Sequence, residues 1–178
     1  MEKNLELRQA WEFVEHTGMS IFLTGKAGTG KTTFLKTLKS HSHKRMVVVA
    51  PTGVAAINAG GVTIHSFFQL PLSPYVPNAK MEQRFAYSKE KRKIMRTIDM
   101  LVIDEISMVR SDVLDAVDNV MRRFREHDKP FGGVQLVMIG DLHQLTPVVR
   151  DEEEKILSEY YNTTYFFGSK ALQSIDYV

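Results

Sequence analysis

Residues Gly25-Lys26-Ala27-Gly28-Thr29-Gly30-Lys31-Thr32 match the pattern G-x-x-x-x-G-K-[ST] in full. No other feature of the chain narrows its fold so far. Such a turn needs a buried strand to deliver it and a helix to leave it, because its backbone N–H groups converge at a helix start. Met19 to Thr24 supplies an apolar strand ahead of it, and Phe34, Leu35 and Leu38 put one apolar face on a helix behind it. Three more short apolar runs read as buried strands: Met46 to Ala50, Met100 to Ile103 and Gln135 to Ile139. Between the last two, Val113, Leu114, Val117, Val120, Met121 and Phe124 recur at helical spacing, with Ser111 placed as the N-cap. Leu5, Ala10, Phe13 and Val14 predict an opening helix that stops at Thr17-Gly18. Unbroken apolar strands separated by helices predict a three-layer α/β domain around a central, mostly parallel sheet. In such sheets ligands sit beyond the carboxyl ends of the strands, where every motif below falls.

Composition sets the outer limits. A chain of 178 residues, 43% hydrophobic, has material for one domain, residues 1–178, with one core. The formal net charge of +2 neither demands nor excludes a polyanionic partner. Without cysteine there is no disulfide, no cysteine-held zinc and no thiol catalysis. The N-terminus lacks a signal-peptide core and no apolar run is long enough to span a bilayer, so the expectation is a soluble, intracellular protein without a membrane partner. Pro71 to Pro77 reads as an extended loop. Lys80 to Arg96 carries seven basic residues against two acidic ones, and reads equally as a nucleic-acid path or a solvated helix. The acidic run Asp151 to Glu154 offsets it, and Ser174 to Val178 looks like a strand beginning.

The chemistry follows from residue types at fixed places. Gly25, Ala27, Gly28, Thr29, Gly30, Lys31, Thr32 and Thr33 form a cradle for a triphosphate, with ATP and Mg2+ as the expected ligands. Lys31 reaches the β- and γ-phosphates, while the Thr32 hydroxyl is a magnesium ligand. Asp104-Glu105 follows the strand Met100 to Ile103, where a carboxylate is needed beside the cradle. Asp104 takes the metal, and Glu105 is placed to polarise an attacking water as general base. The bland reading is that both acids favour the start of a following helix. After the fourth strand comes Gly140-Asp141-Leu142-His143-Gln144-Leu145-Thr146-Pro147. The neutral amide of Gln144 suits hydrogen bonds to a γ-phosphate oxygen and the lytic water, while Asp141 reads equally as a cap.

Three further strings carry a resemblance: Ala50-Pro51-Thr52-Gly53-Val54-Ala55-Ala56, Thr63-Ile64-His65-Ser66-Phe67-Phe68, and Gly140 to Val148. With the two nucleotide motifs they resemble the first motor domain of superfamily 1B helicases, and most of all the Pif-type family. Ile106-Ser107-Met108-Val109 and Pro130-Phe131-Gly132-Gly133-Val134-Gln135 resemble that family's signature in particular. The resemblance runs from about Ile21 to Phe167, in family order. It implies a RecA-like P-loop NTPase fold and ATP-driven 5′-to-3′ translocation on single-stranded DNA with duplex unwinding. It also implies DNA contacts at Pro51, Thr52, Gly53, His65, Ser66 and Phe67. Loop hydroxyls and N–H groups there suit a phosphate, and rings suit stacked bases. Phe68 reads as core.

Further expectations follow from the resemblance. The partners are single-stranded DNA, forked or G-rich DNA structures and a second motor domain of the same parent protein, which lies beyond this sequence. The motor is a monomer working in DNA repair, recombination and telomere maintenance. Its place is the cytoplasm of a bacterium, or the nucleus or mitochondrion of a eukaryote. The family's adenine-reading Gln falls at Arg8, with Gln9 one step on as the candidate. Arg110, Arg122, Arg123, Arg125 and Arg150 read as solvated or helix-face charges. Two other classes share the nucleotide motifs: an AAA-type protein-remodelling ATPase, and a nucleotide-dependent binding module. The first has no use for Pro51-Thr52 or His65, and the second has none for Glu105.

Overall fold

The computed structural model describes residues 4–81 and 86–178, so Glu82 and Arg84 of the basic stretch lie outside it. Helix α1 (Leu5–His16) starts at Asn4, whose side-chain oxygen accepts from the N–H groups of Glu6 and Leu7. It buries Leu7, Ala10 and Val14. Leu5 and Phe13, expected on that face, are exposed. At 100° per residue the 7-10-14 stripe leaves Phe13 on its flank and Leu5 opposite.

Then follow β1 (Ile21–Thr24), α2 (Lys31–His41), β2 (Met46–Ala50), α3 (Gly53–Ala59), β3 (Val62–Thr63) and α4 (Ile64–Phe68). After the proline-rich loop come α5 (Lys89–Thr97), β4 (Met100–Ile103), α6 (Ser111–Phe124), β5 (Gln135–Gly140) and α7 (Asp151–Leu157). The strands lie in the order β1-β5-β4-β2-β3 and every pairing is parallel, as the apolar runs predict. The two-residue β3 is too short to leave a pattern. The chain's end, expected to begin a strand, forms only an isolated bridge: Ser20 pairs in parallel with Tyr177, and Phe22 N–H donates to Val178 O at 2.6 Å.

Alternate strand residues feed two cores. Val49, Leu101, Ile103, Leu136 and Met138 pack with α4, α5 and α6. Val48, Met100, Val102, Val137 and Ile139 pack with α1 and α2. Each such side chain, fully buried, contributes roughly 1.5–3 kcal/mol, which is why the strands show no polar alternation. Ser111 is not the N-cap of α6. It is the first helical residue, and its buried hydroxyl donates to Thr163 O at 2.9 Å, so it ties the 163–164 turn to the helix. Asp151 to Glu154 form the first turn of α7, where negative charge suits the helix dipole.

Candidate functional site

Strands β1, β4 and β5 end side by side, so the segments leaving them meet at one edge of the sheet. Gly28 and Gly30 adopt φ of +82° and +96°, left-handed values that turn the loop into α2 and that a side chain would strain. A Cβ on Gly30 would also stand 2.8 Å from Leu7 Cδ1, so α1 packs hard against the loop. Lys31 folds back, its Nζ donating to the carbonyls of Gly25 and Lys26. The Thr29 hydroxyl donates to Lys26 O at 2.8 Å, closing the turn.

A cleft of about 170 Å³ joins this loop to the other strand ends. Lys31, Thr32, Asp104, Glu105, Asp141 and Gln144 all line it. A second cleft continues along Ala27, Gly28, Gly30 and Thr33, and shares Lys31, Thr32, Glu105 and Gln144 with the first. The segments that the motifs singled out thus come together in one place. Burial pushes the Asp104 carboxyl up, against the pull of the Glu105 N–H at 2.9 Å and of Lys31. Glu105 is pushed up by burial first, then by Asp104, with Asp141 adding to it and Lys31 opposing. Glu105 also holds a left-handed backbone, φ +51°, as the hinge between β4 and the 3₁₀ turn Ile106–Met108. For a non-glycine residue that conformation is a local strain, of the kind that gathers at functional sites. Asp141 closes the turn after β5, its Oδ1 accepting from His143 N–H at 2.9 Å, and it also lines the cleft.

One lining residue escapes sequence reasoning. Asn58, on α3, faces the same cleft. Its signal in the sequence is faint: an amide inside a helix whose neighbours Val54 and Ile57 are exposed and apolar. Gln9, the adenine candidate, lies elsewhere. It sits with Arg8, Glu12 and Phe13 on the outward face of α1, and lines neither cleft.

The second group of candidates lies along the same edge, past β2 and β3. Thr52 is the N-cap of α3, its Oγ1 accepting from Ala55 N–H at 3.2 Å, which leaves the hydroxyl proton free to donate. Gly53 stands open, with nothing within 4 Å of where a Cβ would be. Pro51 and His65 line a hollow of about 120 Å³ together with Leu72, Val109 and Arg110. Burial holds the His65 imidazole below its ordinary range, Arg110 adds to this and Asp112 opposes it, so the ring is neutral at physiological pH. Ser66 is exposed. Phe67 departs from expectation. It is 8% exposed and packs edge-on against the fully buried Phe68 at 4.9 Å, so it is a core ring and offers no face to a base.

Two arginines depart likewise. Arg110 is 12% exposed, doubly hydrogen-bonded to Asp112 at 2.9 Å and paired with Glu153 of α7 at 3.1 Å. Arg125 donates to the carbonyls of Met95, Ile98 and Gly132, binding the end of α5 to the Pro130–Gly133 turn. Neither is a solvated charge, because each has carbonyl or carboxylate acceptors brought in from distant sequence.

Comparison with known proteins places this geometry. Residues 5–170 match the model of the PIF1-like helicase family. The ATP-dependent DNA helicase PIF1 of Saccharomyces cerevisiae (strain YJM789) is 39% identical over 159 residues, covering 86% of this chain and 18% of that protein. The structure of a Bacteroides Pif1 helicase in complex with ADP-AlF3 and ssDNA superposes with a TM-score of 0.89 at 46% identity, over 96% of this chain and 39% of that one. A structure addressing DNA unwinding at forked dsDNA by two coordinating Pif1 helicases gives 0.90 at 47% identity, over 96% and 41%. The chain therefore spans less than half the length of these relatives.

Proposed function

The chain belongs to the PIF1-like helicase family, and from that premise we propose that it is the ATP-binding motor domain of a 5′-to-3′ single-stranded-DNA translocase and helicase. One observation carries the reading: Lys31, Thr32, Asp104, Glu105 and Gln144, from three separate segments, line one cleft. Family membership also removes the ground for the protein-remodelling alternative.

Within that cleft the roles follow from chemistry. Lys31 leaves the carbonyls of Gly25 and Lys26 for the β- and γ-phosphates, a stronger charge-assisted partner. Thr32 and Asp104 offer hard oxygen donors on rigid elements, which fits magnesium. Among the described residues no group of three or more acidic or histidine side chains holds a metal alone, as befits an ion that shares its shell with phosphates and water. When bound, that ion supplies neutralisation of charge on the phosphate oxygens. Glu105, its carboxylate destabilised by burial and two acidic neighbours, takes the proton of the attacking water. Gln144 reports whether a γ-phosphate is present. The strand runs over Pro51 to Gly53 and His65-Ser66, close enough to α3 for strand and nucleotide to share one element.

Among the described residues no arginine lines either cleft, and Arg110 and Arg125 are held by other partners, so the proposed source of the arginine that completes phosphoryl transfer is a second motor domain. Such a residue is worth about 10³–10⁵ in turnover. The chain by itself binds Mg-ATP, hydrolyses it slowly and unwinds nothing. Photo-crosslinking of oligo-thymidine in the presence of a non-hydrolysable ATP analogue, mapped by mass spectrometry, tests the reading. Adducts at Pro51 to Gly53 or His65-Ser66 are expected. Nucleotide binding without adducts on that edge overturns the DNA path. Fast DNA-stimulated turnover by this chain overturns the need for an outside arginine. Every residue lining the cleft comes from one copy, so the proposed unit on a single strand is the monomer, and sedimentation on a forked duplex distinguishes it from a pair.

A further inference from the structure

Helix α5 is built against its own stability. Lys89, Arg92, Lys93 and Arg96 lie three and four residues apart, so they share one face, and all four are exposed. The pairs Lys89/Lys93 and Arg92/Arg96 set like charges at i,i+4, where each costs an isolated helix about 0.2–0.5 kcal/mol. Lys89 also stands in the first turn, where the helix dipole disfavours a cation. Among the described residues none of the four has an ion pair. The opposite face is the anchor. Met95 is fully buried, Ile98 follows it inward, and Arg125 fastens the carbonyls of both. Lys91 on that side reaches α4, donating to Ser66 O and Gln69 Oε1 and lying over the Phe67 ring. Lys91 thus fixes α5 to the end of α4 that carries Ser66, and the cationic face is held rigidly on the side of α5 turned away from it.

We propose that this face of α5 binds the phosphate backbone of double-stranded nucleic acid next to the single-stranded path, an inference that rests on the function proposed above. Among the described residues the face has charge and no exposed aromatic ring. Single-strand sites combine cations with rings on which bases stack, whereas a face of cations alone reads backbone, which a duplex presents in fixed geometry whatever its sequence. The face is straight, nine residues or about 13 Å long, and spans several phosphates of a duplex.

The test is a quadruple variant, Lys89→Gln, Arg92→Gln, Lys93→Gln and Arg96→Gln, which leaves Lys91 in place. Its binding to oligo-thymidine and to a forked duplex with a single-stranded arm is measured over a range of salt. Removing like-charge pairs leaves the unfolding temperature unchanged or raised, which checks the fold. The expected result is a fork affinity lower by about tenfold or more, with oligo-thymidine binding unchanged. The slope of log K against log salt flattens by roughly 0.9 for each phosphate that the variant no longer neutralises. Equal fork affinity and slope in variant and parent overturn the proposal and make α5 a solvated face. Equal losses on both DNAs overturn it too, and put the single strand on α5. If the parent binds no oligo-thymidine at all, the functional reading itself has failed.

Discussion

Two acidic sites in this molecule are shielded from water, one fully and one in part, and they are treated in opposite ways. Asp115 on α6 is buried and accepts four hydrogen bonds: from the Tyr161 hydroxyl at 2.7 Å, the Ser169 hydroxyl at 2.5 Å, and the N–H groups of Lys170 at 3.2 Å and Ala171 at 3.0 Å. Asp104 accepts one, from its neighbour's N–H, and among the described residues the Glu105 carboxylate accepts none. A buried anion saturated with donors fastens chain to chain. A half-buried anion starved of donors, next to another acid and a strained backbone, is held ready for a ligand. Burial alone does not mark a functional carboxylate; the missing partners do.

The contrast makes its largest prediction at Asp115. Asp115→Ala strands four donors at once, and the expected loss of stability is roughly 3–5 kcal/mol by denaturant unfolding, the scale of breaking a buried charged network. A loss under about 1 kcal/mol would erase the distinction. Tyr161 gives a second view of the same knot, since burial and its hydrogen bond to Asp115 push the phenol far above its ordinary range.

Glu105→Gln is expected to do the reverse. Long-incubation hydrolysis falls by about 10²–10⁴, Mg-ATP binding survives, and the unliganded chain becomes more stable. Burial raises the folded-state carboxyls of Asp104 and Glu105 above their ordinary values of 3.8 and 4.5. A raised acid contributes stability below its ordinary value and loses it as pH climbs through the raised one. The parent's unfolding temperature therefore drops over that window and the drop is smaller in the variant. A less stable Glu105→Gln chain would mean that this site, too, is structural. Lys31→Ala comes next. Losing a charged hydrogen-bonding partner of about 1.5–3 kcal/mol weakens nucleotide binding by roughly 10- to 150-fold, read by fluorescence titration with a labelled analogue.

How much of this is legible in the sequence follows the same division. The cradle, the Asp-Glu pair and the four main strands declare themselves because their signal is local: a glycine spacing, an apolar run, a motif placed at a strand end. The donors around Asp115 come from 46 to 56 residues downstream, and no spacing announces them. Arg110 reads as solvated because its partner Glu153 lies a helix and a strand away. Phe67 reads as a stacking ring because an apolar residue in a binding loop gives the same pattern whether it faces out or in. Only the packing of α4 against α5 and α6 decides it.

Asn58, an exposed amide, tests how far the idea that missing partners mark function extends beyond shielded groups, and its expected effect is the smallest. It sits on α3 one and a half turns beyond Thr52. The helix's buried Ala55, Ala56 and Ala59 bring it close to the sheet, and Lys39 from α2 clamps its far end at the carbonyls of Ala59 and Gly60. The Asn58 amide makes no hydrogen bond among the described residues, yet it faces the cleft of Lys31, Glu105 and Gln144. If that amide meets the nucleotide, Asn58→Ala removes one neutral hydrogen bond, about 1 kcal/mol or some fivefold in affinity. It also cuts the tie between the two ends of α3. The readout is the ratio of nucleotide affinities with and without oligo-thymidine, which linkage makes equal to the ratio of DNA affinities with and without nucleotide. A ratio that collapses toward one in Asn58→Ala, with the fold intact, assigns the amide to the coupling of the two ligands. A ratio equal to the parent's returns Asn58 to the solvated surface, and then donor starvation marks function only where a charge is involved.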